Sequence, residues 1–264
     1  PDTLRIGVYA STDFLPIYVM DSQGIAARHR LTLVQSGPFG GGLAASEAIV
    51  RDEIDISYVG LVPLFTLSAA GLVPSDITIV GENQVATPQA PSAAVLAGDA
   101  ITGWSDLSGR QIGIHNVTSI NAASFAARAK AEGVTNYEVV VLGFSDMGLA
   151  VRDGTVAGAV MEEPWTTQSL LRGDGRVLGW TQGEPPLEQV PLTAIAVRTE
   201  LAAQPDLLAR FLRAHLEAVR YLADSPVQAR SLFVSNLGVS PEVASTMNLK
   251  EWAIDARLDT GGVQ

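Results

Sequence analysis

Cysteine is absent from all 264 residues. Disulfides, thiolate metal ligands and cysteine nucleophiles are excluded with it. Histidine is scarce: His29, His115 and His215 lie far apart, and no two share the helical spacing of a zinc or iron site. No metal and no cofactor are expected. Positive charge is also short, with 17 basic residues against 28 acidic and a formal net charge of −11. A surface that negative repels phosphate backbones and anionic lipid, which argues against nucleic acid and membrane-surface partners. No apolar run approaches the ~18 residues of a membrane span. No serine has glycine two residues away on both sides, so a nucleophile elbow is missing, and no catalytic residue is expected. Aromatic residues make up only 6%, and the tryptophans at 104, 165, 180 and 252 are scattered, which suits packing better than a sugar-stacking platform. A basic, then apolar leader is absent as well. The sequence opens on Pro1 just before a strand pattern and reads as a mature or trimmed chain whose targeting segment, if any, has gone.

What is present is apolar. The chain is 47% hydrophobic with a mean hydropathy of +0.23, enough for a sizeable core. Short β-branched runs at 4–9, 31–35, 54–59, 77–81, 93–97, 111–115, 138–142, 156–161 and 192–198 read as strands. Helical patterns fall at 14–23, 43–51, 61–70, 120–132, 146–152 and 164–171. From about 199 the pattern is helical only, most clearly at 207–222, where Leu208, Phe211, Leu212, Val219 and Leu222 form one stripe. Strand–helix alternation predicts an α/β architecture with mainly parallel sheets. Polar, proline-bearing stretches at 83–92 and 182–191 read as connections. The predicted organisation is a first lobe over 1–98, a second over 99–190, and a return to the first over 191–264, with two crossing segments.

Several predicted strands end in small or hydroxyl-bearing loops where a helix begins. Residues 37–45 read GPFGGGLAA, which mimics a dinucleotide fingerprint, but the next strand ends Tyr58-Val59-Gly60 without the acid that would bind ribose. The preferred reading is a helix start whose bare backbone N–H groups face a ligand. Ser11-Thr12-Asp13, Gly60-Leu61, Asn116-Val117-Thr118-Ser119 and Gly143-Phe144-Ser145-Asp146 occupy equivalent places. Ligands of open α/β sheets bind along that edge, although each loop taken alone is also an ordinary helix cap. Glu162 and Glu163 end a further strand. Neighbouring strand residues face opposite ways, so at most one is expected to meet a ligand. His115 is placed either to donate to a ligand or to pack, and His215 falls on the apolar stripe of 207–222.

These segments, in order, resemble one family. Residues 4–9 (LRIGVY) with the loop and helix that follow, 48–57 (AIVRDEIDIS) followed by Gly60-Leu61-Val62-Pro63, 104–113 (WSDLSGRQIG), 158–165 (GAVMEEPW) and 196–201 (AVRTEL) are similar to stretches of solute-binding proteins of the nitrate, sulfonate and taurine type. The likeness runs over about residues 4–245 and rests on the ordered set rather than on one motif. It implies a two-lobed periplasmic-binding-protein fold of type II, an ABC-transporter permease as partner, and a monomer outside the cytoplasm, in the periplasm or lipid-anchored at the cell membrane. It implies ligand contacts at Ser11, Thr12, Phe14, Phe39, Gly40, Gly41, Gly60, Leu61, Asn116, Thr118, Ser119, and Glu162 or Glu163. The matched loops hold no Lys or Arg, so an organic ligand with an apolar body, against Phe14 and Phe39, is expected over a small inorganic anion. Relatives usually carry a further helix beyond residues 256–258, and this chain is expected to lack it. The alternatives are a desulfinase-like or pyrimidine-precursor enzyme of the same superfamily, whose cysteines are absent here, a sensing domain, and a binder of a neutral nitrogen heterocycle.

Overall fold

The computed structural model describes residues 1–9, 11–61, 64 and 76–257. In chain order, β1 (Asp2–Gly7) leads to α1 (Leu15–Ser22) and α2 (Ile25–Arg28), then β2 (Leu31–Ser36), α3 (Gly42–Val50) and β3 (Ile56–Gly60). The strands β4 (Ile77–Ala86), β5 (Ser92–Ala97) and β6 (Gln111–Ile114) follow. Next come α4 (Ile120–Ala131), β7 (Glu138–Val141), α5 (Phe144–Arg152), β8 (Gly158–Met161), α6 (Trp165–Arg172) and β9 (Arg176–Gln182). After β10 (Val190–Arg198) stand α7 (Thr199–Ala202), α8 (Pro205–Asp224), α9 (Pro226–Leu237), α10 (Pro241–Thr246) and β11 (Glu251–Trp252). The helix expected at 61–70 lies almost wholly outside the described residues.

The chain forms two compact units. The first comprises Pro1–Val85, Pro191–Val239 and Trp252–Gln264, and the second Ala86–Val190 and Ser240–Glu251. The backbone therefore passes between units four times, not two, and 240–251, assigned to the first lobe from sequence, belongs to the second unit.

The first unit carries a six-stranded sheet in the order β11-β4-β10-β3-β1-β2. β1 pairs parallel with β2 and β3, and β10 pairs antiparallel with β3. The second unit carries a five-stranded sheet in the order β7-β6-β8-β5-β9. Here β6 pairs parallel with β7 and β8, while β5 is antiparallel to β8 and β9. Both sheets are mixed. Their parallel pairs come from strand–helix–strand crossovers, and their antiparallel pairs from strands that enter beside a crossing.

Alternation along the strands builds a core on each face of the second sheet. Val95, Ile112 and Val160 pack with Phe125 and Ala129 of α4. Leu96, Ala159 and Met161 pack with Met147 and Val151 of α5. In the first unit, Ala45, Ala48 and Ile49 of α3 pack on Ile54, Val59 and Ala196. α8 starts with a proline and an acidic first turn, both favourable at a helix N-terminus, and buries Phe211, Ala214, His215, Ala218, Val219 and Leu222 along one stripe. His215 is completely buried, as its place on that stripe predicts.

Candidate functional site

In the first unit, the carboxyl edge of β1 and β3 is backed by aromatic rings. Phe14 lies edge-on to Tyr9 with ring centroids 4.7 Å apart and stacks on Tyr58 at 5.5 Å. The Tyr58 hydroxyl meets His215 Nδ1 at 2.7 Å. Burial pushes the Tyr58 hydroxyl well up and His215 down to about 3, so the pair is neutral near pH 7. Phe14 is 0% exposed. It is core in this structure, and of the two rings expected against a ligand only Phe39 is partly exposed, packed against α3 and β3.

The loops on this edge divide by chemistry. Ser11 caps the short 3-10 helix Thr12–Phe14, accepting from the Asp13 N–H and donating to Asp13 Oδ2 at 2.6 Å. Thr12 and Leu61 are buried. Ser11, Thr12 and Leu61 are thus engaged locally in this structure. Gly40 and Gly41 are open: a Cβ at either would meet nothing within 4 Å. Gly41 has φ 144 and precedes α3, and as a glycine it gives that helix no side-chain cap. Gly37 has φ 130, and a Cβ there would run into the Val8 carbonyl oxygen, which explains the glycine. Gly60, at the end of β3, is partly buried, with its N–H nitrogen 3.5 Å from where a Gly42 Cβ would stand.

In the second unit, the loop after β6 is self-satisfied. Asn116 Oδ1 accepts from both the N–H and the hydroxyl of Thr118 at 2.8 Å. Ser119 donates to the Asn116 carbonyl at 2.6 Å and caps α4 by accepting from the Ala122 N–H. Asn116 and Thr118 remain exposed, but the Ser119 hydroxyl is occupied.

Glu162 and Glu163 follow the end of β8 and make different contacts. Glu163 accepts from the N–H and hydroxyl of Thr167 and from the Asn248 N–H at 3.1 Å. Burial raises its carboxyl above the usual range despite these bonds. Glu162 Oε1 accepts from Asn121 Nδ2 at 2.8 Å, and its Oε2 lies 3.3 Å from Lys250 Nζ. Burial works against its charge, yet Lys250, Asn121 and His115 together hold the carboxyl below its usual value.

Behind Asn121 runs a buried polar chain. Gln182 Nε2 donates to Asn121 Oδ1 and to Ser124 Oγ, Ser124 meets Thr181, and Thr181 donates to the Ala93 carbonyl. Beside Glu162, His115 stacks on Phe144 with centroids 4.4 Å apart, and its Nδ1 is buried without a hydrogen-bond partner. Burial lowers the His115 imidazole, and Glu162 offsets part of that.

Sequence reasoning passed over Lys250, Asn121 and Gln182. The matched loops hold no cation, but the segment 240–251 brings one. Lys250 is one of two lysines in the chain, beside Lys130, and that rarity was the available signal. Among the described residues no group of three or more His, Cys, Asp or Glu could hold a metal, and no helix is long and apolar enough to cross a membrane. A groove of about 560 Å³, lined by Gly98, Arg110, Arg152 and Gly175 among others, sits at the amino-terminal edge of β6, away from these loops.

Two α/β units that share this strand order and exchange the chain repeatedly define a periplasmic-binding-protein fold. The periplasmic aliphatic sulphonate binding protein SsuA of Escherichia coli is similar, with a TM-score of 0.78 and 21% identity over 93% of this chain and 82% of that one. The alkanesulfonate-binding protein SsuA of Xanthomonas axonopodis pv. citri, bound to MOPS, gives 0.73 and 19% over 93% and 82%. A mutant of DSZB in complex with biphenyl-2-sulfinic acid gives 0.71 and 17% over 99% and 88%. No curated protein matches the sequence. The model of the NMT1-like family matches residues 1–234, and the chain belongs to that family.

Proposed function

We propose that this chain is an extracytoplasmic solute-binding protein that captures a small organic acid, of sulfonate, carboxylate or aromatic type, and delivers it to the permease of an ABC importer. The observation that carries the reading is the buried polar chain of the second unit, which ends on Glu162 and Lys250 at the carboxyl edge of the sheet. Buried polar side chains cost free energy unless satisfied, and a network that leads to a charged, partly exposed end is suited to hold a polar ligand group in one orientation. The open glycines before α3, Gly40 and Gly41, offer backbone donors in the first unit. The solved sulfonate-binding relatives support an acidic ligand for this fold.

On this reading the chain crossings act as a hinge, and small-angle scattering should give a smaller radius of gyration with ligand than without. The enzyme alternative draws support from the sulfinic acid bound to the DSZB relative. Against it stand the absence of cysteine from the sequence and the occupied hydroxyls of Ser11 and Ser119. The test is titration calorimetry with MOPS, butanesulfonate and benzoate, followed by chromatography of the recovered compound. Saturable binding with the compound unchanged is expected; chemical turnover contradicts the proposal.

A further inference from the structure

We propose that Ser92 and Gln182 of the second unit form a subsite that receives a hydroxyl group of the ligand. This rests on the binding-protein reading and adds to it two residues and a narrower substrate class, a hydroxy acid.

The place follows from the sheet. β5 runs antiparallel to β8, with Ala94 beside Met161, so β5 starts and β9 ends at the carboxyl edge. Ser92 and Gln182 are direct partners across β5 and β9. Opposed residues of an antiparallel pair carry their side chains on one face, with Cβ atoms roughly 4.5–5.5 Å apart. That face is covered by α4, because Gln182 Nε2 reaches Asn121 and Ser124 of that helix.

Charge decides which atom of Gln182 is left open. Glu162 faces Lys250 Nζ at 3.3 Å and, as a carboxylate, only accepts. Asn121 must therefore turn its Nδ2 to Glu162, which leaves its Oδ1 to accept from Gln182 Nε2 at 3.0 Å. The second Nε2 hydrogen goes to Ser124 Oγ at 3.1 Å. Gln182 Oε1 remains, a buried acceptor without a hydrogen-bond partner on a residue that is 0% exposed. Amides that donate in series toward a carboxylate polarise one another, which strengthens the last carbonyl as an acceptor. Such an atom costs free energy until a donor reaches it.

Ser92 is 5% exposed, and its hydroxyl has no hydrogen-bond partner among the described residues. It places a second polar group, able both to donate and to accept, on the same face as Oε1. A ligand hydroxyl can donate to Gln182 Oε1 and accept from Ser92 Oγ, satisfying both. An ammonium only donates, and a methyl group does neither.

The test is titration calorimetry of the full chain with matched acids. 3-Hydroxypropanesulfonate is set against butanesulfonate, which carries a methyl in place of the hydroxyl, and 3-hydroxybenzoate against benzoate. 3-Aminopropanesulfonate separates a hydroxyl from a group that only donates. The hydroxyl member of at least one pair should bind about threefold to tenfold tighter, and the amine more weakly than the alcohol. Ser92→Ala removes no hydrogen bond from the fold and should cancel that preference. Gln182→Met should cancel it too, and where that variant fails to fold Ser92→Ala decides alone. A buried water as the only occupant gives equal affinities within both pairs. That result, or a preference that survives Ser92→Ala, overturns the inference and leaves the binding-protein reading standing. An amine that binds tighter than the alcohol overturns the hydroxyl assignment. Failure of every compound to bind removes both readings.

Discussion

The two units use one strand order for different ends. In each, a central strand is flanked by two parallel neighbours, β2-β1-β3 in one and β7-β6-β8 in the other, with an antiparallel strand added beyond. The first unit backs its carboxyl edge with rings (Tyr9, Phe14, Tyr58, Phe211 and His215) and presents bare glycine backbone in front. The second backs its edge with amides and hydroxyls and presents a charged pair. One topology thus furnishes a rigid apolar support in one case and a hydrogen-bonded relay in the other. The difference lies in which residues occupy the inward positions, not in the path of the chain.

The largest effect separating the units should come from the ring stack. Phe14→Ala empties a fully buried site and should cost about 3–5 kcal/mol of stability. Urea unfolding measures it, and a loss near zero would show that Phe14 is not core. Next is pH. His215 binds its proton at about 3 when folded and near 6.5 when unfolded. Because the folded value is depressed, the unfolded chain binds more protons between these values. Stability present above pH 6.5 should therefore fall as pH falls toward 3, by up to about 1.4 kcal/mol per unit. Urea midpoints at several pH values in this window, with His215→Gln as the comparison, check the sign.

In the second unit, Asn121→Ala strands Glu162 Oε1 and removes an acceptor of Gln182, so it should cost roughly 1–3 kcal/mol and weaken ligand binding as well. Thermal unfolding and calorimetry on the same sample separate the two losses; unchanged values in both would remove the relay from the account. The smallest effect is expected at Ser119→Ala, which deletes a helix cap worth about 0.5–2 kcal/mol. Its hydroxyl is already committed to Asn116 and Ala122, so binding should be nearly unchanged. A selective loss of affinity would return Ser119 to the ligand.

The same contrast explains what was legible in the sequence. Strands rich in β-branched residues, such as β1, β6 and β10, and the amphipathic α8 announce themselves by period. β9 does not: Arg176-Val-Leu-Gly-Trp-Thr-Gln breaks the pattern with a glycine, and Trp104 packs closely over Gly179, so that a Cβ there would stand 3.2 Å from its ring. The glycine loop before α3 was readable because its chemistry is local. The relay was not, because Asn121, Glu162, Gln182 and Lys250 come from four distant segments, one of which changes units after α9. The hydroxyls of Ser11 and Ser119 were visible as cap residues, but only the fold shows that capping consumes them.

The proposal that the chain holds a small organic acid without transforming it is tested most directly by native mass spectrometry of the purified protein. A single small acidic molecule per chain is expected, released on denaturation and identical after prolonged incubation. A released compound that differs from the one supplied would contradict the account.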